Sequence, residues 1–151
     1  MIRRSGLAAT ALMPLVVVAC ARPSSGPLLQ SRVQTSMRPD QPCNRVASIQ
    51  YLPDGARIAI SSDSLFLPGK ADLTQCGGFA VASAIQAMLT PMIMHVAIEP
   101  YGDVGAPYAR LARERAVRLQ TMFWNVGAPT EVQPAAAPAQ DAWGIVLTAG
   151  G

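Results

Sequence analysis

Met92-Ile93-Met94-His95-Val96-Ala97-Ile98-Glu99 followed by Pro100-Tyr101-Gly102-Asp103 decides the fold. Met92, Met94, Val96 and Ile98 fall on one side of an extended chain, and Ile93, His95, Ala97 and Glu99 on the other, as in a strand with one dry face. Past the loop, residues 107–126 carry apolar side chains at helical spacing, and Gly127 and Pro129 stop them. Pro107 suits the first helical position, where no donor is needed. The whole stretch reads as strand, loop, helix.

Working outward, Arg57 to Ser61 alternates Ile58 and Ile60 with small or polar neighbours and predicts another strand. Leu67-Pro68-Gly69 is a turn signal. Phe79 to Leu89 predicts a helix whose apolar residues are Phe79, Ala82, Ile85, Ala87, Met88 and Leu89, ended by Thr90-Pro91. Glu131 to Gln133 suits a short strand, Pro134 to Gln140 a Pro/Ala linker, and Trp143 to Thr148 a last apolar strand. The order β-α-β-α-β-β predicts an α/β two-layer sandwich with both helices on one face of a small sheet.

One residue conflicts with its helix. With Leu111 at zero and 100° per residue, Met122 falls at about 20°, Tyr108 and Val126 at about 60° and Leu119 at about 80°, one apolar stripe. Arg110, Arg113, Glu114 and Arg118 lie opposite, but Arg115 falls at about 40°, inside the stripe. A desolvated guanidinium is costly unless acceptors meet it. Asp103, in the loop before the helix, is the nearest carboxylate candidate. Two readings follow: a structural Arg115–Asp103 pair that fixes the loop, or a pair aimed at a ligand bearing a carboxylate and an ammonium.

At the N-terminus, Arg3 and Arg4 precede an apolar run from Leu7 to Val18, the organisation of an export signal and too short for a comfortable membrane span. Val17-Val18-Ala19-Cys20 resembles a bacterial lipobox. That resemblance implies cleavage after residue 19 and lipidation of Cys20. Ala21 and Arg22 follow, with no aspartate to signal inner-membrane retention, so the expected location is the outer membrane with the domain facing the periplasm. The expected organisation is a signal peptide over 1–19, lipidated cysteine and flexible tether over 20–53, and a folded domain over 54–151. Pro, Ser, Gln and Arg dominate Ala21 to Pro42, and a coil of that length spans about 25 Å on average and about 70 Å when stretched. Cys43 and Cys76 suit a disulfide outside the cytoplasm or two buried thiols, and bridged they would contribute about 3–4 kcal/mol through loop entropy.

The segments Ile98-Glu99-Pro100-Tyr101-Gly102-Asp103 and Leu111-Ala112-Arg113-Glu114-Arg115-Ala116 are similar to the OmpA-like peptidoglycan-binding domain, whose pattern is Glu-Gly-(His/Tyr)-Thr-Asp, a loop, then Leu-Ser-x-x-Arg-Ala. Ser64-Leu65-Phe66-Leu67-Pro68-Gly69-Lys70-Ala71-Asp72-Leu73 resembles the family's Phe…Leu-x-Pro-x-Gly…Leu segment. The match covers roughly residues 54–148, and the family fold agrees with the element order above. It implies that Asp103 and Arg115 hold the diaminopimelate of the peptidoglycan stem peptide. A planar guanidinium suits the ligand's carboxylate and an aspartate its ammonium. The loop from Asp103 to Leu111 is about three residues shorter than in the family pattern, and Pro100, Gly102 and Ala112 replace Gly, Thr and Ser. Small size, lipobox and trimmed loop also resemble the OmpA-like lipoproteins of type IVB secretion machines, the IcmN/DotK type.

The net charge of +3 is mostly leader, and without Arg3 and Arg4 the acidic and basic side chains nearly balance. No basic run with interleaved aromatics suggests a nucleic-acid partner. The single histidine, His95, sits in mid-strand without a ligand cluster, and neither a nucleophile elbow nor a phosphate loop occurs. The sequence therefore reads as a non-enzymatic outer-membrane lipoprotein without cofactor or metal. Its expected partners are peptidoglycan, a membrane through the lipid on Cys20, and the proteins of a secretion complex. The alternative is a protein scaffold module of a type IV secretion or conjugation complex that does not bind the wall.

Overall fold

The computed structural model describes residues 25–88, 94–100, 109–133 and 142–149. Helix α1 (Gly26–Ser36) and a 3-10 turn (Pro42–Val46) precede the hairpin β1 (Ala47–Leu52) and β2 (Gly55–Ser61). Then come a single helical turn α2 (Ser62–Leu65), α3 (Gln75–Ala87), β3 (Met94–Pro100), α4 (Ala109–Trp124), β4 (Thr130–Val132) and β5 (Ala142–Ala149). The sheet has the order β1-β2-β5-β3-β4. All pairings are antiparallel except β3 with β4, which α4 joins as a crossover.

Register fixes which face is dry. Ile58 pairs with Ile145, which pairs with Ile98, and Ile60 pairs with Trp143. These residues, with Ala56, Met94, Val96 and Leu147, are buried in one core with Ala80, Val81 and Ala84 of α3 and Ala116, Leu119 and Phe123 of α4. The other face carries exposed His95 and half-buried Arg57, Ala97 and Glu99. Arg57 and Glu99 form a two-pronged pair there, Nε to Oε2 at 2.9 Å and Nη2 to Oε1 at 3.2 Å. From β2 to β5 the elements follow the predicted β-α-β-α-β-β order, with helices against one face of the sheet.

The N-terminal part departs from expectation. Residues 26–36 and 47–52, assigned to a flexible tether, are α1 and the edge strand β1. Leu29, Val33 and Met37 are spaced four apart, so they fall on one helical face, and all three are buried in the core. Pro27 occupies the first turn of α1, where its missing donor costs nothing. Gln30 donates its side-chain amide to the Leu52 carbonyl and ties α1 to β1. Cys43 and Cys76 are joined by a disulfide, with Cα atoms 4.5 Å apart, linking the 3-10 turn to the first turn of α3.

Helix α3 also turns a different face inward. Phe79 is 44% exposed and Ala82 is exposed, while Gly77, Ala80, Val81, Ser83, Ala84 and Ala87 are buried. The reason is closeness of approach: a Cβ on Gly77 would lie 2.3 Å from the Leu65 carbonyl oxygen. Helix α3 lies so near α2 that small residues, not the aromatic, must fill the contact. Its N-cap is Thr74, whose hydroxyl accepts from the Gly77 N–H at 2.8 Å.

The sheet has two poles. The proximal pole carries the β1–β2 turn (Pro53, Asp54), the start of β3 and the end of β5, since Gly55 pairs with Thr148 and Met94 with Ala149. Gly26 packs against this turn, so the chain enters the fold here. The distal pole carries the end of β2, α2, the start of α3, the end of β3 and the start of β5, since Ser61 pairs with Ala142 and Pro100 with Trp143.

Candidate functional site

Arg115 is 5% exposed, on the buried side of α4 with Ala116, Leu119 and Phe123. Arg110, Arg113, Glu114 and Arg118 are exposed on the opposite side, as the helical projection requires. Val126, placed in the same apolar stripe, is 46% exposed because α4 ends at Trp124 and the chain turns. The turn closes with an Ala128 N–H donated to the Phe123 carbonyl at 3.1 Å and Gly127 at φ +80°.

The inward guanidinium meets main-chain acceptors. Its Nε donates to the Lys70 carbonyl at 2.9 Å and its Nη2 to the Leu67 carbonyl at 3.4 Å. Its central carbon lies 4.7 Å from the centroid of the Phe66 ring. These partners belong to one tight segment. Leu67 N–H donates to the Asp72 carbonyl at 2.8 Å, Lys70 N–H to the Leu67 carbonyl at 3.1 Å, and Phe66 bridges to Leu73. Gly69 sits at φ +65°, a conformation that suits glycine in such a turn. This is the Leu67-Pro68-Gly69 turn expected from the sequence.

The contacts continue inward. Phe66 meets Trp143 edge to face, centroids 5.4 Å apart at 71°. Trp143 is fully buried, and its indole N–H donates to the Ser62 hydroxyl at 3.1 Å. Arg115, Phe66, Trp143 and Ser62 thus tie α4, the 66–73 turn, β5 and α2 together at the distal pole. Chemically, the arrangement presents a planar cation whose position is set by backbone and aromatic neighbours.

Asp103 and Cys20, the other predicted site residues, lie outside the described residues, as do Pro107 and Tyr108. Sequence reasoning missed the Lys70 and Leu67 carbonyls as acceptors, since any residue type presents one. The signal that could have found them is the Phe66…Pro68-Gly69 turn itself. Trp124 projects from the polar side of α4 and is 56% exposed. Among the described residues, no group of three or more His, Cys, Asp or Glu could hold a metal ion. Among them, too, no helix is long and apolar enough to cross a membrane.

No family model matches the chain, and no curated protein matches it. Among solved structures it is similar to a MotB-like protein from Desulfovibrio vulgaris, with a TM-score of 0.61 at 15% identity, covering 83% of this chain and 95% of that one. It is similar also to the cell wall anchor of the T6SS from Pseudomonas aeruginosa, with a TM-score of 0.53 at 14% identity over 80% of this chain and 96% of that one. The fold is OmpA-like. The periplasmic domain of Helicobacter pylori MotB shares it, with a TM-score of 0.52 at 13% identity over 70% of this chain and 80% of that one. At these identities the likeness is one of architecture. In this OmpA-like fold, the described part of the candidate site is Arg115 and the 66–73 turn.

Proposed function

We propose that this chain is an outer-membrane lipoprotein of the periplasm that anchors non-covalently to the cell wall, as one element of an envelope complex. Lipid on Cys20 holds it to the membrane. Asp103 and Arg115 take the diaminopimelate of the stem peptide, the guanidinium on its carboxylate and the aspartate on its ammonium. No covalent chemistry is involved. The observation that carries this reading is the buried Arg115 guanidinium, fixed by Lys70, Leu67 and Phe66 at the distal pole. Likeness to a cell wall anchor supports it. A cation already held in one geometry loses little further entropy when a ligand binds.

A second reading has its own support. Hydrogen bonds to main-chain carbonyls are what a purely structural clamp would make. In that case the domain is a protein scaffold in a type IV secretion or conjugation assembly, and the wall is not its ligand. Co-sedimentation of the mature chain, begun after residue 19 with Cys20→Ser so that it carries neither leader nor lipid, with purified peptidoglycan sacculi separates the two. Wall anchoring predicts retention that falls at least tenfold in Arg115→Lys and in Asp103→Asn, each with a wild-type circular dichroism spectrum. Absence of wild-type retention would reject the anchor and leave the scaffold.

A further inference from the structure

With α1 folded into the core, little chain remains between the proposed lipid and the domain. Cys20 and Ser25 are five residues apart. Fully extended, that leash reaches about 17 Å. It delivers the chain to Gly26, whose backbone packs so closely on the β1–β2 turn that a Cβ would lie 2.4 Å from the Pro53 carbonyl oxygen. A lipid on Cys20 would therefore hold the proximal pole at the bilayer surface.

The side chains there suit that position. Leu28, in the first turn of α1, is 51% exposed. Helix α4 runs from the distal pole, where Arg115 meets the 66–73 turn, toward the proximal pole, where β4 starts with Thr130 opposite Val96. Trp124, in its last turn, and Val126, just past it, are 56% and 46% exposed. A tryptophan with an apolar body and an N–H donor is favoured where hydrocarbon meets water. Leu67 and Phe79 are also exposed but lie at the distal end, so apolarity alone does not select the proximal pole. The short leash does.

We propose that the proximal pole rests on the lipid surface with Trp124 at headgroup depth, so that the Arg115 pole faces away from the membrane. This rests on the reading that Cys20 is lipidated. The seven residues of β2 span the distance between poles, about 20 Å at 3.3 Å per residue. The domain is then an oriented spacer, with its cation at the outer end.

The chain's two tryptophans supply the test, because Trp143 is fully buried and Trp124 is not. The lipidated protein, purified from membranes, is reconstituted in phosphatidylcholine vesicles with brominated acyl chains. Trp124 emission is read as the difference between wild type and Trp124→Phe. Bromine should quench most of that difference, and aqueous iodide should quench it less than in the soluble Cys20→Ser chain. If the protein floats with the vesicles while Trp124 ignores bromine and stays as open to iodide as in solution, the orientation is overturned and the lipid anchor stands. If it does not float, the anchor fails and the orientation with it.

Discussion

Arg115→Ala should cost the fold about as much as a core truncation, although it removes a charge from a helix rich in arginine. A lower bound on the magnitude follows from three contacts to described residues. One hydrogen bond from a charged donor at 2.9 Å is worth about 1.5–3 kcal/mol. A second at 3.4 Å lies beyond the usual range and adds little. The cation over a desolvated Phe66 ring adds about 1–2 kcal/mol. Leu67 and Lys70 lie in an exposed turn, so their carbonyls can recover water and the penalty for abandoning them is small. The sum is about 2.5–5 kcal/mol, and a chain of this size loses about 4 °C of Tm per kcal/mol, so the melt should fall by about 10–20 °C. Arg113→Ala, on the exposed side, should stay within about 2 °C of wild type. Arg115→Lys keeps the charge but cannot reach two carbonyls with a planar fork, and should fall between them. Calorimetric melts measure all three, and hydrogen exchange at Leu67 and Lys70 should quicken first in Arg115→Ala. Equal melts for Arg115→Ala and Arg113→Ala would refute the reasoning.

Two further outcomes depend on the scaffold. The disulfide closes a loop of sequence separation 33, for which chain entropy gives about 4 kcal/mol, so reductant or paired Cys43→Ser and Cys76→Ser should lower Tm by about 15 °C. Alkylation of both thiols in the folded, unreduced protein would contradict it. Neighbouring glycines should respond with opposite signs: Gly77→Ala drives a Cβ against the Leu65 backbone and destabilises, whereas Gly78→Ala meets only the Leu73 Cβ at 4.0 Å. With that space, Gly78→Ala gains about 0.5–1 kcal/mol from helix propensity. Urea melts of the two variants decide the matter, and equal signs would refute the close approach of α3 to α2.

The strands β2 and β3 and the helix α4 were legible because each alternates or repeats on one dry face, and β5 because it is a short continuous apolar run, buried from Trp143 to Leu147. The segment holding α1 was not. Its Pro, Ser, Gln and Arg content reads as linker, and only Leu29, Val33 and Met37 mark the buried stripe. Strand β1 had a clearer signal, since Pro53-Asp54-Gly55 between two alternating runs marks a hairpin. The inner face of α3 was misread because hydrophobicity favours Phe79, whereas helix distance favours Gly77 and alanines. At the site, the inward position of Arg115 followed from helical phase alone. Its carbonyl partners did not, because backbone acceptors leave no mark in residue type.

Folding α1 into the domain changes what the rest of the molecule must do. On a long coil, a domain samples every orientation, and the position of a binding residue relative to its lipid is immaterial. With a lipid on Cys20, as proposed, the leash would reach at most about 17 Å, and orientation would be set by where the chain enters the fold. Arg115, near the middle of α4, and Trp124, at its end, are nine residues and about 14 Å apart on one helix. Sites that far apart with no shared partner usually contribute additively. Trp124→Phe should therefore leave the Tm loss of Arg115→Ala unchanged, and Arg115→Lys should leave the bromine quenching of Trp124 unchanged. Coupling between them would mean that the helix yields between its ends, and an oriented spacer would then be the wrong description of this domain.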